Sequence, residues 1–281
     1  MHRFWDTVLG PLCDVIAPRS IVEIGAGGGF TTRHLVEYCR GTGARCVVID
    51  PAPGEALEGI VREAADLVEY HERPSLEVLD RADGDLYLID GDHNWHTVSA
   101  ELRSIADRAR AARRALPVIC LHDVGWPYGR RDLYYAPERV DPAHRRPHAR
   151  RGIVPGRSEL AESGGYNHLH WNALEEGGPA NGVLTAVEDF IAAQSDDWRS
   201  EVLDGFHGLA VLWVPDAVGE ATSGRIEELL GAPETLRRHI EALERARLEL
   251  LVHAREMDRL TGGRPGRLVS WIARAAKRLG G

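Results

Sequence analysis

Ile21-Val22-Glu23-Ile24-Gly25-Ala26-Gly27-Gly28-Gly29-Phe30-Thr31-Thr32 is the stretch that decides the fold. Its apolar, β-branched start reads as a strand, its glycines as a turn, and Phe30-Thr31-Thr32 as the opening of a helix. Glycine turns the backbone sharply at φ > 0 and lets a ligand approach where a Cβ would stand. Strand, loop and helix make the first βα unit of a doubly wound sheet, in which ligands sit beyond the carboxyl ends of the strands.

The missing glycine bears on which ligand that is. A dinucleotide fingerprint needs G-x-G-x-x-G, but counting from Gly25 gives Gly27 and then Phe30. What stands here is E-x-G-x-G, with Glu23 two residues ahead of the turn. This resembles the first motif of the class I S-adenosylmethionine-dependent methyltransferases. The resemblance implies cofactor contacts at Glu23, Gly25, Ala26 and Gly27, the carboxylate suiting a cofactor that has a charged amino group and no phosphate. A second strand, Cys46-Val47-Val48-Ile49-Asp50, ends about 20 residues on in an acid placed to accept hydrogen bonds from ribose hydroxyls. Nicotinamide enzymes share that acid, so a nicotinamide-dependent oxidoreductase stays in competition, although no catalytic Tyr-Lys pair can be placed. A plain tight turn in a ligand-free α/β protein is the third reading.

The chain has 281 residues, enough for one large core with appendages, and a formal charge of -9 that argues against general nucleic-acid binding. Cys13, Cys39, Cys46 and Cys120 are widely spaced and suggest neither a disulfide framework nor a zinc site. The first residues lack a long apolar run, so neither a signal peptide nor a membrane span is expected, and the composition fits a cytoplasmic enzyme.

Strand-like and helix-like stretches alternate through the first two thirds. Strands are expected near Ser20 to Ile24, Arg45 to Asp50, Leu67 to His71, Asp85 to Asp90 and Pro117 to Leu121. A helix is expected over Asn181 to Gln194, then two strands, Trp198 to Leu203 and His207 to Val214, joined at Asp204-Gly205. The layout resembles the seven-stranded methyltransferase fold with its antiparallel last strand, over roughly residues 15 to 216. The expected architecture is therefore α/β: a doubly wound, seven-stranded, mainly parallel sheet in a domain spanning 1–216, with a substrate-lid insertion at about 125–180 and a C-terminal helical extension over 217–281.

Chemistry gathers at two strand ends. Leu88-Ile89-Asp90-Gly91-Asp92-His93-Asn94-Trp95-His96 ends the fourth strand and Leu121-His122-Asp123-Val124-Gly125-Trp126 ends the fifth. These positions resemble those that hold a divalent ion in the metal-dependent small-molecule O-methyltransferases. Carried over, Asp90, His122 and Asp123 would be the ligands, with Asp92 able to substitute for Asp90; an imidazole tilts the choice from magnesium toward manganese, iron or zinc. A metal would lower the pKa of an acceptor hydroxyl and fix its oxygen in line with the sulfonium methyl. Without metal, His93 or His96 is the candidate general base, with Asp123 beside it. Asp92 and His93 could also face the cofactor, as could Asp90. The bland reading has Asp92 or Asn94 capping the next helix. After the third strand, Glu72 and Ser75 resemble contacts to the adenosine end, although Ser75 reads more naturally as the N-cap of a short helix beginning at Leu76.

The lid insertion is long for a connector. Arg130 to Arg157 holds eight arginines and two histidines on an otherwise acidic chain. An anionic acceptor and a solvated loop paired with the acidic body are equal readings. Trp126, Tyr128, Tyr134, Tyr135, Tyr166 and Trp171 can stack on a sugar or aromatic ring, or simply pack the lid down. His168 and His170 are weaker base candidates. Beyond Pro215, Leu236, Ile240, Leu243, Leu250, Ala254 and Met257 keep a 4-3 spacing broken by Arg247. This long charged helix suits a homo-oligomer contact, a partner, or the face of the catalytic domain. The basic stretch Leu268 to Leu279 is read as an oligomer contact or frayed end ahead of a peripheral membrane contact.

The sequence thus points to a methyl transfer from S-adenosylmethionine to a hydroxyl of a small molecule, a sugar or glycosylated metabolite first, with Mg²⁺ or Mn²⁺ as the metal to test. A noncatalytic assembly protein built around the C-terminal helix is the reading from a different class.

Overall fold

In the computed structural model, which describes residues 1–260, the chain runs α1 (Gly10–Ile16), β1 (Ser20–Ile24), α2 (Phe30–Thr42), β2 (Arg45–Ile49), α3 (Glu55–Glu63), β3 (Val68–His71), β4 (Leu86–Ile89), α4 (Trp95–Ala111) and β5 (Val118–His122). The insertion adds β6 (Leu133–Tyr134), β7 (His148–Arg150) and β8 (Trp171–Ala173). Beyond it come α5 (Val183–Ala193), β9 (Arg199–Leu203), β10 (Leu209–Trp213), α6 (Pro215–Val218), α7 (Glu220–Leu230) and α8 (Glu234–Leu260).

Seven strands form one sheet in the order β3-β2-β1-β4-β5-β10-β9. β1 is central and parallel to β2 and β4, and β10 lies antiparallel between β5 and β9. This is the expected doubly wound, mainly parallel sheet with its antiparallel last strand. Side-chain alternation divides the core between its faces: Leu86 and Leu88 of β4 join one cluster, Tyr87 and Ile89 the other. Strands buried on both sides read as continuous apolar runs, which is why their positions were legible.

Details differ from expectation. α5 starts at Val183 because the Asn181 side chain is bonded to lid backbone and Gly182 sits at φ 92. The β9–β10 connection is longer than a two-residue turn, since β10 begins only at Leu209; Phe206 and His207 lie in it at φ 48 and 74. The insertion is a small three-stranded sheet, β6-β8-β7, over its own core of Tyr128, Leu133, Ile153 and Leu160. α7 sends Ile226 and Leu230 into the same core as Leu9 and Leu12. The four cysteines are free and buried. Among the described residues no helix is long and apolar enough to cross a membrane. The Leu268 to Leu279 stretch lies outside the described residues.

Candidate active site at the carboxyl edge of the sheet

The loop after β1 folds against the exit of β4. Gly25 has φ 81, and a Cβ there would stand 2.4 Å from the Asp90 carbonyl oxygen. Gly27, at φ 53, faces open space. Its amide donates to Asp50 Oδ2 at 2.7 Å while the Ala52 amide donates to Oδ1 at 2.8 Å. Gly25, Ala26, Gly27 and Asp50 therefore line one crescent, and each Asp50 oxygen keeps a second lone pair.

Glu23 lies below this crescent. It is buried, accepts from Thr32 Oγ1 at 2.7 Å, and burial raises its pKa to about 8 despite that bond. At neutral pH it is a protonated strut beneath the N-terminus of α2. Glu72 is exposed at the exit of β3. Ser75 is buried and caps nothing: its hydroxyl donates to Glu101 of α4, and the short 3-10 turn it opens has no side-chain cap. The N-cap reading of Ser75 is corrected accordingly. Glu101 is itself raised to about 8 by burial.

β4 and β5 are adjacent and parallel, so their carboxyl ends bring Asp90, His93, His122 and Asp123 together. His93 Nε2 is 2.7 Å from Asp123 Oδ2 and 3.7 Å from Asp90 Oδ1. His122 Nδ1 is 3.0 Å from Asp90 Oδ1 and 2.9 Å from Asp123 Oδ2, while its Nε2 donates to the Phe206 carbonyl at 2.9 Å. With Nε2 protonated, Nδ1 can face two carboxylates only by carrying a proton or by sharing a cation with them. The electrostatics agree. Burial opposes charge on His122, but Asp90 and Asp123 outweigh it and raise its pKa to about 9. Burial likewise opposes charge on His93, and the Tyr135 and Asp123 oxygens outweigh it, holding its pKa well above the usual value. Burial opposes ionisation of both aspartates, yet the imidazolium charges hold their pKa values below the usual carboxylate range. Asp123 sits at φ 59, a left-handed conformation uncommon outside glycine and asparagine-like residues. One ligand atom each from Asp90, His93 and Asp123 lies within 4.8 Å of the others, so these three, with His93 in the place the sequence reading gave to His122, fit a divalent cation as a mixed oxygen and nitrogen donor set.

Asp92 is half-buried beside this cluster, its pKa raised by burial. Asn94 is the N-cap of α4, accepting from the Thr97 amide at 2.9 Å. The structure does not bring His96 to the cluster: its ring stacks on His144 at 4.1 Å.

The lid roofs the site with aromatic rings. Tyr128 and Tyr135 lie 5.6 and 6.0 Å from the His93 ring, and Tyr135 Oη is 3.5 Å from His93 Nδ1. Tyr166 lies 5.6 Å from Trp126 and 5.7 Å from His207. His207 donates from Nδ1 to the Trp126 carbonyl at 2.9 Å, leaving Nε2 to accept from Tyr166 Oη at 3.4 Å. Reading His207 as a strand residue hid this role. Asp132, buried where the lid meets α4, gave no signal beyond being an acid in an arginine-rich loop. Three of the lid arginines hold the lid itself: Arg130 pairs with Glu188, Arg131 donates to the Ala173 and Ser158 carbonyls, and Arg151 to those of Leu160 and Ala161.

Residues 22–124 match a family model described as a methyltransferase domain. No curated protein matches the chain. Among solved structures, the S-adenosylhomocysteine-bound methyltransferase PaMTH1 of Podospora anserina is 17% identical, covering 73% of this chain and 76% of its own, at TM-score 0.44. Human N-acetylserotonin methyltransferase with S-adenosylmethionine is 14% identical, covering 76% and 53%, at TM-score 0.41. The segment that matches the methyltransferase-domain model runs from β1 to just past β5, and so contains the glycine loop, Asp50 and the Asp90, His93, His122 and Asp123 cluster.

Proposed function

We propose that the protein methylates a hydroxyl of a small molecule, with a divalent cation held by Asp90, His93 and Asp123. The observation that carries this reading is the close packing of two carboxylates with two imidazoles at the exits of β4 and β5, beside the cofactor crescent. Both imidazoles there favour the charged form, so the pocket is built to hold positive charge, and bound protons can give way to a metal. When bound, such a cation lowers the pKa of a coordinated hydroxyl. The chain's own residues do the rest. Gly27 and Asp50 line the cofactor crescent, His122 steadies the two aspartates from the Phe206 carbonyl, and the aromatic roof orients a ring and excludes water. The rings suit a sugar face or an aromatic acceptor.

His93 as general base is the second reading, favoured by one feature: its Nε2 is oriented by Asp123 while Nδ1 faces the lid at Tyr135. Calorimetric titration with S-adenosylmethionine, with and without EDTA and then Mn²⁺, tests both. Cofactor binding with saturable Mn²⁺ binding supports the metal reading, whereas cofactor binding and turnover that ignore chelator favour His93. Failure to bind S-adenosylmethionine overturns the function.

Self-association belongs to the same proposal. Leu236, Leu243, Leu250 and Met257 of α8 are exposed at seven-residue spacing. Light scattering that returns a monomer at working concentration would remove it.

A further inference from the structure

Two arginines at the aromatic roof have no acidic partner among the described residues. Arg255, on α8, places its guanidinium 4.5 Å from the Tyr166 ring centroid and donates to Asn167 Oδ1 at 3.0 Å. Arg150, on β7, lies 4.8 Å over Trp171. Their neighbours are otherwise engaged: on α8, Arg237 is bound to Glu201 and Arg247 to Glu244. A guanidinium over a ring still has N–H donors left for a carboxylate or phosphate. Both arginines bear on one place. Arg150 and Tyr134 are both register partners of Trp171, so the adjacent His170 and Tyr135, edge-on at 5.7 Å, lie beside that row, and the charges of Arg150 and Arg255 add to burial in lowering the His170 pKa. Tyr135 in turn touches His93, so the two cations stand one ring removed from the proposed reaction centre.

We propose that Arg255 and Arg150 form an anion-binding rim beside the aromatic roof, so that the substrate is a hydroxylated ring carrying a carboxylate or phosphate and α8 takes part in recognising it. This rests on reading the aromatic roof over His93 as the acceptor site. It gives the C-terminal helix a task in the site: Arg255 recognises the acceptor anion while Glu244 holds the β9–β10 connection by accepting from the His207 amide at 3.1 Å.

The test is calorimetry on the full chain with three matched probes: 4-nitrophenyl β-D-glucoside, the corresponding glucuronide, and the glucoside 6-phosphate. One anionic probe should bind at least about tenfold more tightly than the neutral glucoside, a charge-assisted contact being the difference. Which of the two does so identifies carboxylate or phosphate. Arg255→Gln and Arg150→Gln should each weaken the anionic probe more than the neutral glucoside and so shrink that preference, and each variant is read beside its thermal midpoint. Equal binding of all three probes, binding of none, or a preference that survives both substitutions overturns the proposal. Loss of S-adenosylmethionine binding in the same preparations would instead overturn the methyltransferase proposal and leave the anion preference standing.

Discussion

Asp132 Oδ1 accepts the Trp95 amide hydrogen at 2.7 Å, so a carboxylate from the lid closes the first turn of the helix just beyond His93. The same oxygen accepts from the Gly182 amide at 2.7 Å, and Oδ2 accepts from Tyr134 Oη at 2.7 Å. One residue along, the Leu133 amide donates to the His93 carbonyl at 3.0 Å. Asp132 is fully buried, and this junction ties α4, α5 and the lid sheet to the backbone of the cluster.

Asp132→Ala leaves three buried donors unpaired. At roughly 1–3 kcal/mol for each orphaned group, the loss should be several kcal/mol, visible as a marked fall in the urea midpoint. Metal affinity should fall with it, because His93 is no longer held. An unchanged midpoint would refute the junction.

Asp123→Asn keeps the left-handed backbone at φ 59, which asparagine tolerates, and removes the charge. Fold and S-adenosylmethionine affinity should stay near wild type while Mn²⁺ binding, followed by electron paramagnetic resonance or calorimetry, and turnover are lost. Persistence of both would remove Asp123 from the metal set.

Gly25→Ala sets a methyl 2.4 Å from the Asp90 carbonyl oxygen and asks alanine to hold φ 81. The β4 exit must shift or the loop must open, with a left-handed cost alone of roughly 1–2 kcal/mol. Cofactor affinity should therefore fall at least as far as in Asp50→Ala, where lost ribose acceptors cost about 1–3 kcal/mol. Titration of both variants with S-adenosylmethionine checks the order.

Glu23 binds its proton more tightly folded, where its pKa is about 8, than unfolded, where it is near 4.5. A raised pKa means stability is fully present below the unfolded value and drains away as pH climbs toward the folded one. The thermal midpoint should fall between about pH 5 and pH 8, and Glu23→Gln should flatten that slope while leaving cofactor binding in place. A slope identical in the two proteins would show that Glu23 is charged in the fold.

The sequence by itself determined the sheet. Strands such as Val118–His122 and Leu209–Trp213 are buried on both faces, so their signal is local and apolar, and a glycine loop with an acid at the next strand end marks the cofactor edge whatever surrounds it. It also named Asp90, His93, His122 and Asp123, because strand exits are known once strands are. Only the tertiary structure decided what each group does. Ser75 turned from helix cap to partner of Glu101, His96 left the cluster for His144, and Glu23 proved to be a buried strut. Asp132, His207 and Arg255 were silent because their partners are 37, 81 and 88 residues away in the chain. Periodicity records which face of an element is buried, but a hydrogen bond across loops leaves no period, and whether an imidazole carries a proton depends on charges that only folding brings within reach.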